Sequence, residues 1–174
     1  MPKRIPMGPQ NMPEVRMRKA RFNKKERPRD EFSENVVQVD RVTRVVAGGK
    51  RMRFRATVVV GDKNGKVGLG VAKANDVATA VQKAARKARQ NLIQIPIKNE
   101  TITREIRFEF GAAVVLLKPA AKGTGIIAGG PVRIVANLAG VKNILGKILG
   151  SPNKINNLKA IMGALEELAE RARQ

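Results

Sequence analysis

The sequence predicts an α+β protein in two units, β-β-β-α first and then a mixed α/β half with a closing helix. Three observations carry this reading. Residues 36–60 are rich in Val and partly alternate between apolar and polar side chains. Residues 76–92 instead repeat apolar side chains at helical spacing. Before residue 35 neither period is present. The expected division is a tail at 1–34, a first domain at 35–99 and a second at 100–174. A chain of 174 residues with 43% hydrophobic content can fill cores of that size.

The tail holds ten basic residues up to Arg29 and five of the nine prolines. It cannot offset its own ordering entropy and is expected to stay disordered until it meets RNA or another polyanion. It lacks the apolar centre of a secretory signal, and its prolines block the amphipathic helix of a transit peptide. The longest apolar run, Ala112–Leu117, falls well short of the roughly 20 residues needed to cross a bilayer. A cytoplasmic protein without a membrane segment is therefore expected.

Strands are expected over Val36–Val42, Arg53–Val60 and Val67–Ala72. Ala47-Gly48-Gly49-Lys50 supplies the first hairpin turn and residues 61–66 the second. A helix then runs over Asp76–Leu92, with Asp76 as its N-cap. Its spacing turns Val77, Val81, Ala84, Ala85, Ala88 and Leu92 inward and Lys83, Arg86, Lys87 and Gln90 outward. Pro96 ends its extension, and Ile97–Thr103 reads as the connection to the second domain. There, Ile102–Phe108 alternates as a strand with one solvated face, and Ala112–Leu117 suits a central strand. Pro131 opens a helix through Ala139. Val141–Leu149 contains a short apolar piece, and Asn153–Arg173 is the last helix, burying Ile155, Leu158, Ile161, Met162, Leu165, Leu168 and Ala169.

Charge narrows the function. Thirty-five Lys and Arg against fourteen Asp and Glu leave +21, an excess that opposes compaction and suits a polyanionic partner. The absence of Cys and His excludes disulfides, thiol nucleophiles, zinc sites built on those ligands and His acid–base catalysis. With five Phe and no Trp or Tyr, recognition of backbone or duplex shape is favoured over base stacking. No carboxylate lies between Glu109 and Glu166, so the Gly-rich stretch in that interval brings no local metal ligand or general base. No catalytic residue, metal, cofactor or small-molecule substrate is expected.

The basic constellation is the strongest signal. Arg41, Arg44, Lys50, Arg51, Arg53 and Arg55 fall within fifteen residues that contain no acid. On the expected meander, Lys50, Lys63 and Lys66 would project from the turns near one end, and the strand arginines would line a face. Lys73, the helix cations Lys83, Arg86 and Lys87, and Lys122 complete the candidate RNA-binding set. A β-β-β-α unit that presents loop and helix cations to phosphates works as double-stranded RNA-binding domains do, by shape. Charge alone equally allows a free-standing architectural protein for any duplex.

The Gly-rich stretch fails as a nucleotide loop. Gly125 and Gly130 have Walker spacing, but Pro131 stands where Lys is required, and Gly129 falls one place late for a dinucleotide fingerprint. A nucleotide-using RNA enzyme is thereby left without its phosphate loop. Two readings stay open: Gly N–H groups near Arg133 that hold a phosphate or an acidic side chain, or a tight loop where backbone approaches closely.

The strings Val39-Asp40-Arg41-Val42-Thr43-Arg44-Val45-Val46-Ala47-Gly48-Gly49-Lys50-Arg51 and Val59-Val60-Gly61-Asp62-Lys63-Asn64-Gly65-Lys66-Val67-Gly68-Leu69-Gly70 resemble the signature of the family of the fifth protein of the bacterial small ribosomal subunit. Lys118-Pro119-Ala120 and Gly123-Thr124-Gly125-Ile126-Ile127-Ala128-Gly129-Gly130-Pro131-Val132-Arg133 look like its second signature. The match covers about residues 35–168. It implies a first domain similar to double-stranded RNA-binding domains without their first helix. It also implies a β-α-β second domain with a left-handed crossover, against the usual hand. The implied role is structural: binding 16S ribosomal RNA, contacting ribosomal proteins four and eight, lying near the channel by which messenger RNA enters, and influencing the body–head arrangement and decoding accuracy. Carried over by position, Thr43, Val45, Gly48 and Gly49 belong to a loop that reaches toward the head. Gly123, Gly125, Gly129, Gly130 and Arg133 belong to the region that faces protein four. Two pairs depart from the family pattern: Val71-Ala72 replaces an aromatic–glycine pair, and Ala121-Lys122 replaces a Ser–Glu pair.

Overall fold

A computed structural model describes residues 32–172. The expected disorder of residues 1–31 lies outside the described residues. Strand β1 (Ser33–Val46) already begins inside the segment read as tail. It pairs antiparallel with β2 (Gly49–Gly61), which pairs with β3 (Lys66–Ala74), giving the expected meander. A short strand β4 (Leu92–Gln94) adds a fourth member beside β3.

Helix α1 (Val77–Gln90) is capped by Asp76, whose Oδ2 accepts from the Ala78 N–H at 3.2 Å. Its buried face is narrower than the spacing suggested. Ala80, Ala84, Ala85 and Ala88 are buried, Val77 is exposed, and Leu92 has left the helix to pair with Gly68 in β4. The cause is the close approach of helix to sheet. A Cβ on Gly70 would lie 1.9 Å from the Ala84 carbonyl oxygen, so only the smallest side chains fit between the layers.

The segment read as a connection forms a hairpin, β5 (Ile97–Lys98) and β6 (Thr101–Ile102). Asn99 and Glu100 both have positive φ, the pattern of a two-residue type I′ turn. Ile102 is thus spoken for by β6, and the strand expected to begin there starts instead at Ile106, as β7 (Ile106–Phe110). β8 (Ala113–Pro119), β9 (Ile126–Ile127) and β10 (Ile144–Gly150) complete a sheet of order β7-β8-β10-β9. β9 lies parallel to β10, and α2 (Gly130–Ala139) joins them as the β-α-β unit. The apolar piece at 141–149 is therefore mostly strand. Helix α3 (Lys154–Arg171) is capped by Asn153, whose Oδ1 accepts from the Ile155 N–H at 3.0 Å. Ile155 is only half-buried, and the other six apolar residues assigned to its inner face are buried.

One core crosses between the two halves. Val59, Val67 and Ile95 pack with Ile144, Leu158, Ile161 and Leu165. Backbone bonds reinforce the junction: Lys63 N–H donates to the Leu138 carbonyl and Gly65 N–H to that of Ala139, each at 2.9 Å. Gly140, with φ of 85°, ends α2 there, and a Cβ on it would sit 2.0 Å from the Lys63 carbonyl oxygen. No helix among the described residues is long and apolar enough to cross a membrane.

Candidate nucleic-acid interface

Register decides which cations share a surface. Directly opposed residues of an antiparallel pair point to one face, and side chains alternate along each strand. Arg44 opposes Arg51, Val42 opposes Arg53, Asp40 opposes Arg55, and Arg55 opposes Lys73. Arg44, Arg51, Arg53, Arg55 and Lys73 therefore line one face. Ala56, Val58 and Val60, of the other parity on β2, pack with the buried alanines of α1, so the arginine face is the one turned away from the helix. Arg44, Arg51, Arg53 and Lys73, with Val42, Thr43 and Val46, border an open hollow of about 390 Å³.

Arg55 differs from its neighbours. Its Nε and Nη2 reach Asp40 Oδ2 at 3.1 and 2.8 Å, with both side chains about a third exposed or less. This hydrogen bond, helped by one from Gln38, holds the Asp40 carboxyl below its ordinary value despite a small opposing effect of burial. Arg55 is thus tied to the sheet, whereas Arg44, Arg51 and Arg53 present their charge outward. Asp40 is a positioning residue that sequence reasoning missed, although it directly precedes the acid-free run.

The remaining candidates do not join this face. Arg41 and Lys50 have the opposite parity, and Arg41 donates to the Met52 sulfur at 2.9 Å. Lys83, Arg86 and Lys87 are exposed on α1, on the other side of the sheet. The expected gathering of Lys50, Lys63 and Lys66 near one end is incorrect. Successive turns of a meander lie at opposite ends of the strand between them. Lys50 stands at the start of β2 and Lys63 just past its end, a separation of about 40 Å for a fully extended strand. The tip residues Thr43, Val45, Gly48 and Gly49 project with Lys50, because β3 pairs only from Phe54 onward and leaves Gly49–Arg53 as a two-stranded ribbon with β1.

The Gly-rich loop follows neither of the two readings left open: an internal carboxamide takes its N–H groups, and no backbone crowds Gly123 or Gly125. Asn143 is buried, and its Oδ1 accepts from the N–H groups of Gly123 and Gly125 at 3.1 and 3.0 Å. Those donors are satisfied by this side-chain carbonyl and do not form an open phosphate nest. Both glycines have positive φ, and a Cβ on either would meet no atom within 4 Å, so backbone conformation explains glycine there. Gly129 is the N-cap of α2 and Gly130 its first residue. Arg133 donates its backbone N–H to the Gly129 carbonyl at 2.9 Å and lines, with Ile126 of the loop, an open cleft of about 660 Å³ that also holds Lys63, Asn137 and Lys142. Lys122 is exposed. Its field adds to the main influence on Glu100, a hydrogen bond from Lys142 Nζ at 2.5 Å that lowers the Glu100 carboxyl from its ordinary value.

Comparison with known proteins agrees with this architecture. Residues 32–96 match the family described as Ribosomal protein S5, N-terminal domain, and residues 108–173 match Ribosomal protein S5, C-terminal domain. The chain is 57% identical over 149 residues to the small ribosomal subunit protein uS5c of Spinacia oleracea, covering 85% of this chain and 48% of that one. It is 55% identical over 139 residues to uS5 of Gloeobacter violaceus, covering 79% of this chain and 62% of that protein. Against uS5 of Thermus thermophilus it is 51% identical over 145 residues, covering 83% of this chain and 90% of the relative. The chain thus spans about half the length of the spinach relative and nearly all of the Thermus one.

Proposed function

This chain belongs to the ribosomal protein S5 family, and from that premise we propose that it is a structural, non-enzymatic constituent of the small ribosomal subunit that binds 16S ribosomal RNA. The observation that carries the reading is the distribution of its cations. They occupy both sides of the first sheet and both ends of β2, with Arg44, Arg51, Arg53 and Lys73 on one side and Lys83, Arg86 and Lys87 on the other. No single duplex can meet all of them. Such an arrangement suits a scaffold wedged where several RNA segments converge, each neutralised by its own group of cations with release of counterions.

On this reading the projecting tip at Thr43, Val45, Gly48 and Gly49 reaches from the body toward the head, and Lys50 projects with it. Lys63, Lys66 and Lys122 add phosphate contacts at the far end of β2 and in the second half. The Gly123–Arg133 region faces ribosomal protein four, and the second half also meets protein eight, near the path of messenger RNA. Accuracy is then influenced indirectly. If the contact with protein four opens when the subunit closes on a cognate codon, a change of about 1.4 kcal/mol in that contact shifts the equilibrium tenfold.

The test is the salt dependence of binding to small-subunit RNA by the full chain. Each phosphate contact contributes about 0.9 to the slope of log K against log salt on duplex segments. R51A with R53A and, separately, R86A with K87A should each flatten the slope, and the losses should add when the pairs are combined. A helix-side pair that leaves the slope unchanged would reduce the protein to a one-sided binder and defeat the scaffold reading.

A further inference from the structure

The turn between β2 and β3 carries the only Asn-Gly pair in the sequence, Asn64-Gly65. Such a pair is prone to lose the side-chain amide, because no side chain on the glycine shields its backbone nitrogen. The reaction is internal to the chain. The Gly65 nitrogen gives up its proton and bonds to Cγ of Asn64, the Cγ–Nδ2 bond breaks, and ammonia leaves. Water then opens the cyclic imide at either carbonyl. One opening leaves aspartate at position 64. The other leaves isoaspartate, in which the main chain runs through the side-chain carbonyl and gains a methylene.

Exposure and restraint act in opposite directions at this pair. Asn64 is exposed, and Lys63 before it holds a left-handed φ of 59°. Gly65 is buried, and its N–H, which bears the attacking nitrogen, donates to the Ala139 carbonyl at 2.9 Å across the junction of the two halves. The Gly65 carbonyl accepts from the Ile95 N–H at 2.8 Å, and the Asn64 N–H donates to Asp62 Oδ1 at 2.7 Å. A nitrogen whose proton is held by a carbonyl, in a turn fixed on both sides, cannot swing onto Cγ. Only a local opening that parts Gly65 from Ala139 frees it.

We infer that Asn64 is a modification site guarded by the docking of the two halves: it converts to aspartate and isoaspartate only in chains whose junction has opened, and the isoaspartate then keeps the junction from closing. The second part follows from how tightly the turn is seated. The N–H groups of Lys63 and Gly65, on either side of residue 64, meet the adjacent carbonyls of Leu138 and Ala139. Gly140 packs against them so closely that a Cβ on it would lie 2.0 Å from the Lys63 carbonyl oxygen. A longer main chain between the two donors cannot keep both bonds. Lys63 and Lys66 flank the pair, and their positive field favours loss of the Gly65 proton once it is free. The reaction needs no partner, and the inference is independent of the ribosomal reading.

The test compares the full chain folded in buffer with the same chain unfolded in guanidinium chloride, at one pH and temperature. Isoaspartate is read by enzymatic carboxyl methylation and located by mass spectrometry of the peptide that contains residue 64. The folded chain should form it at least about tenfold more slowly, since only its open fraction reacts. G140A, whose Cβ collides with Lys63, should raise the rate in the folded chain about tenfold or more, whereas G125A, strained in the same way but in open space, should not. Should G140A fail to fold, the comparison with guanidinium still decides. In the isoaspartate chain, isolated by chromatography, the amide protons of Lys63 and Gly65 should exchange freely with solvent. Equal rates in the folded and unfolded chain, isoaspartate formed chiefly at another asparagine, a G140A rate no higher than that of G125A, or slow exchange at those two amides in the isoaspartate chain would each overturn the inference.

Discussion

Two side-chain acceptors, the Asp40 carboxylate and the Asn143 carboxamide, do more for this protein than their number suggests. Asp40 anchors Arg55 amid the arginine face, and its lowered pKa links folding to pH. Because the folded value lies below the unfolded one, the stabilisation is complete above the unfolded value, about 4, and is lost as pH falls through the folded value. D40N should therefore flatten the loss of stability below about pH 4 in denaturant titrations, and a curve as steep as that of the unaltered protein would show that the ion pair contributes little. Asn143 plays the comparable part in the second half. N143A leaves the N–H groups of Gly123 and Gly125 without their acceptor and should lower stability by roughly 2 kcal/mol in urea unfolding. An effect under about 0.5 kcal/mol would mean that water replaces the carboxamide without loss. Neither role could be read locally. Asn143 lies about twenty residues from the glycines it holds, and nothing in their spacing points to it. The arginines were visible as charge, but their division between two faces follows from the pairing of Val46 with Gly49, which fixes parity along both strands.

Long strands with a clear period, and the helix begun by Asp76, could be anticipated because local pattern and tertiary context agree there. The short pairings could not. β4, β5, β6 and β9 have two or three residues each, too few to show any period, and exist because neighbouring strands offer them partners. Helix α1 also shows tertiary override. Its inner face follows the small residues dictated by Gly68 and Gly70 beneath it, so Val77 stays outside despite suitable spacing. The turn between β2 and β3 is the element that joins the halves, and it yields a contrast between two glycines of similar φ. G125A adds a Cβ in open space and should cost only the left-handed strain, about 1–2 kcal/mol. G140A adds the same strain plus a collision with the Lys63 carbonyl, and should cost more than about 3 kcal/mol in thermal unfolding. Equal costs would show that the β2–β3 turn yields freely and does not hold the two halves together.

Taken together, two small sheets share one core, and the cations are held at fixed spacings on surfaces that point in different directions. That rigidity suits a scaffold: a flexible chain of the same charge would neutralise phosphates but could not fix the angle between RNA segments. Overall charge and the missing catalytic side chains indicated a polyanion partner from composition alone. The two-sided placement of the cations emerged only with the topology, since consecutive turns of a meander necessarily part Lys50 from Lys63. The decisive measurement is sedimentation of the tagged full chain from lysate through a density gradient at about 0.5 M salt, where non-specific phosphate binding is largely lost. Stoichiometric comigration with small ribosomal subunits is the predicted result. Release to the top of the gradient, with any duplex bound equally and only at low salt, would contradict the scaffold account and leave a general duplex-binding protein in its place.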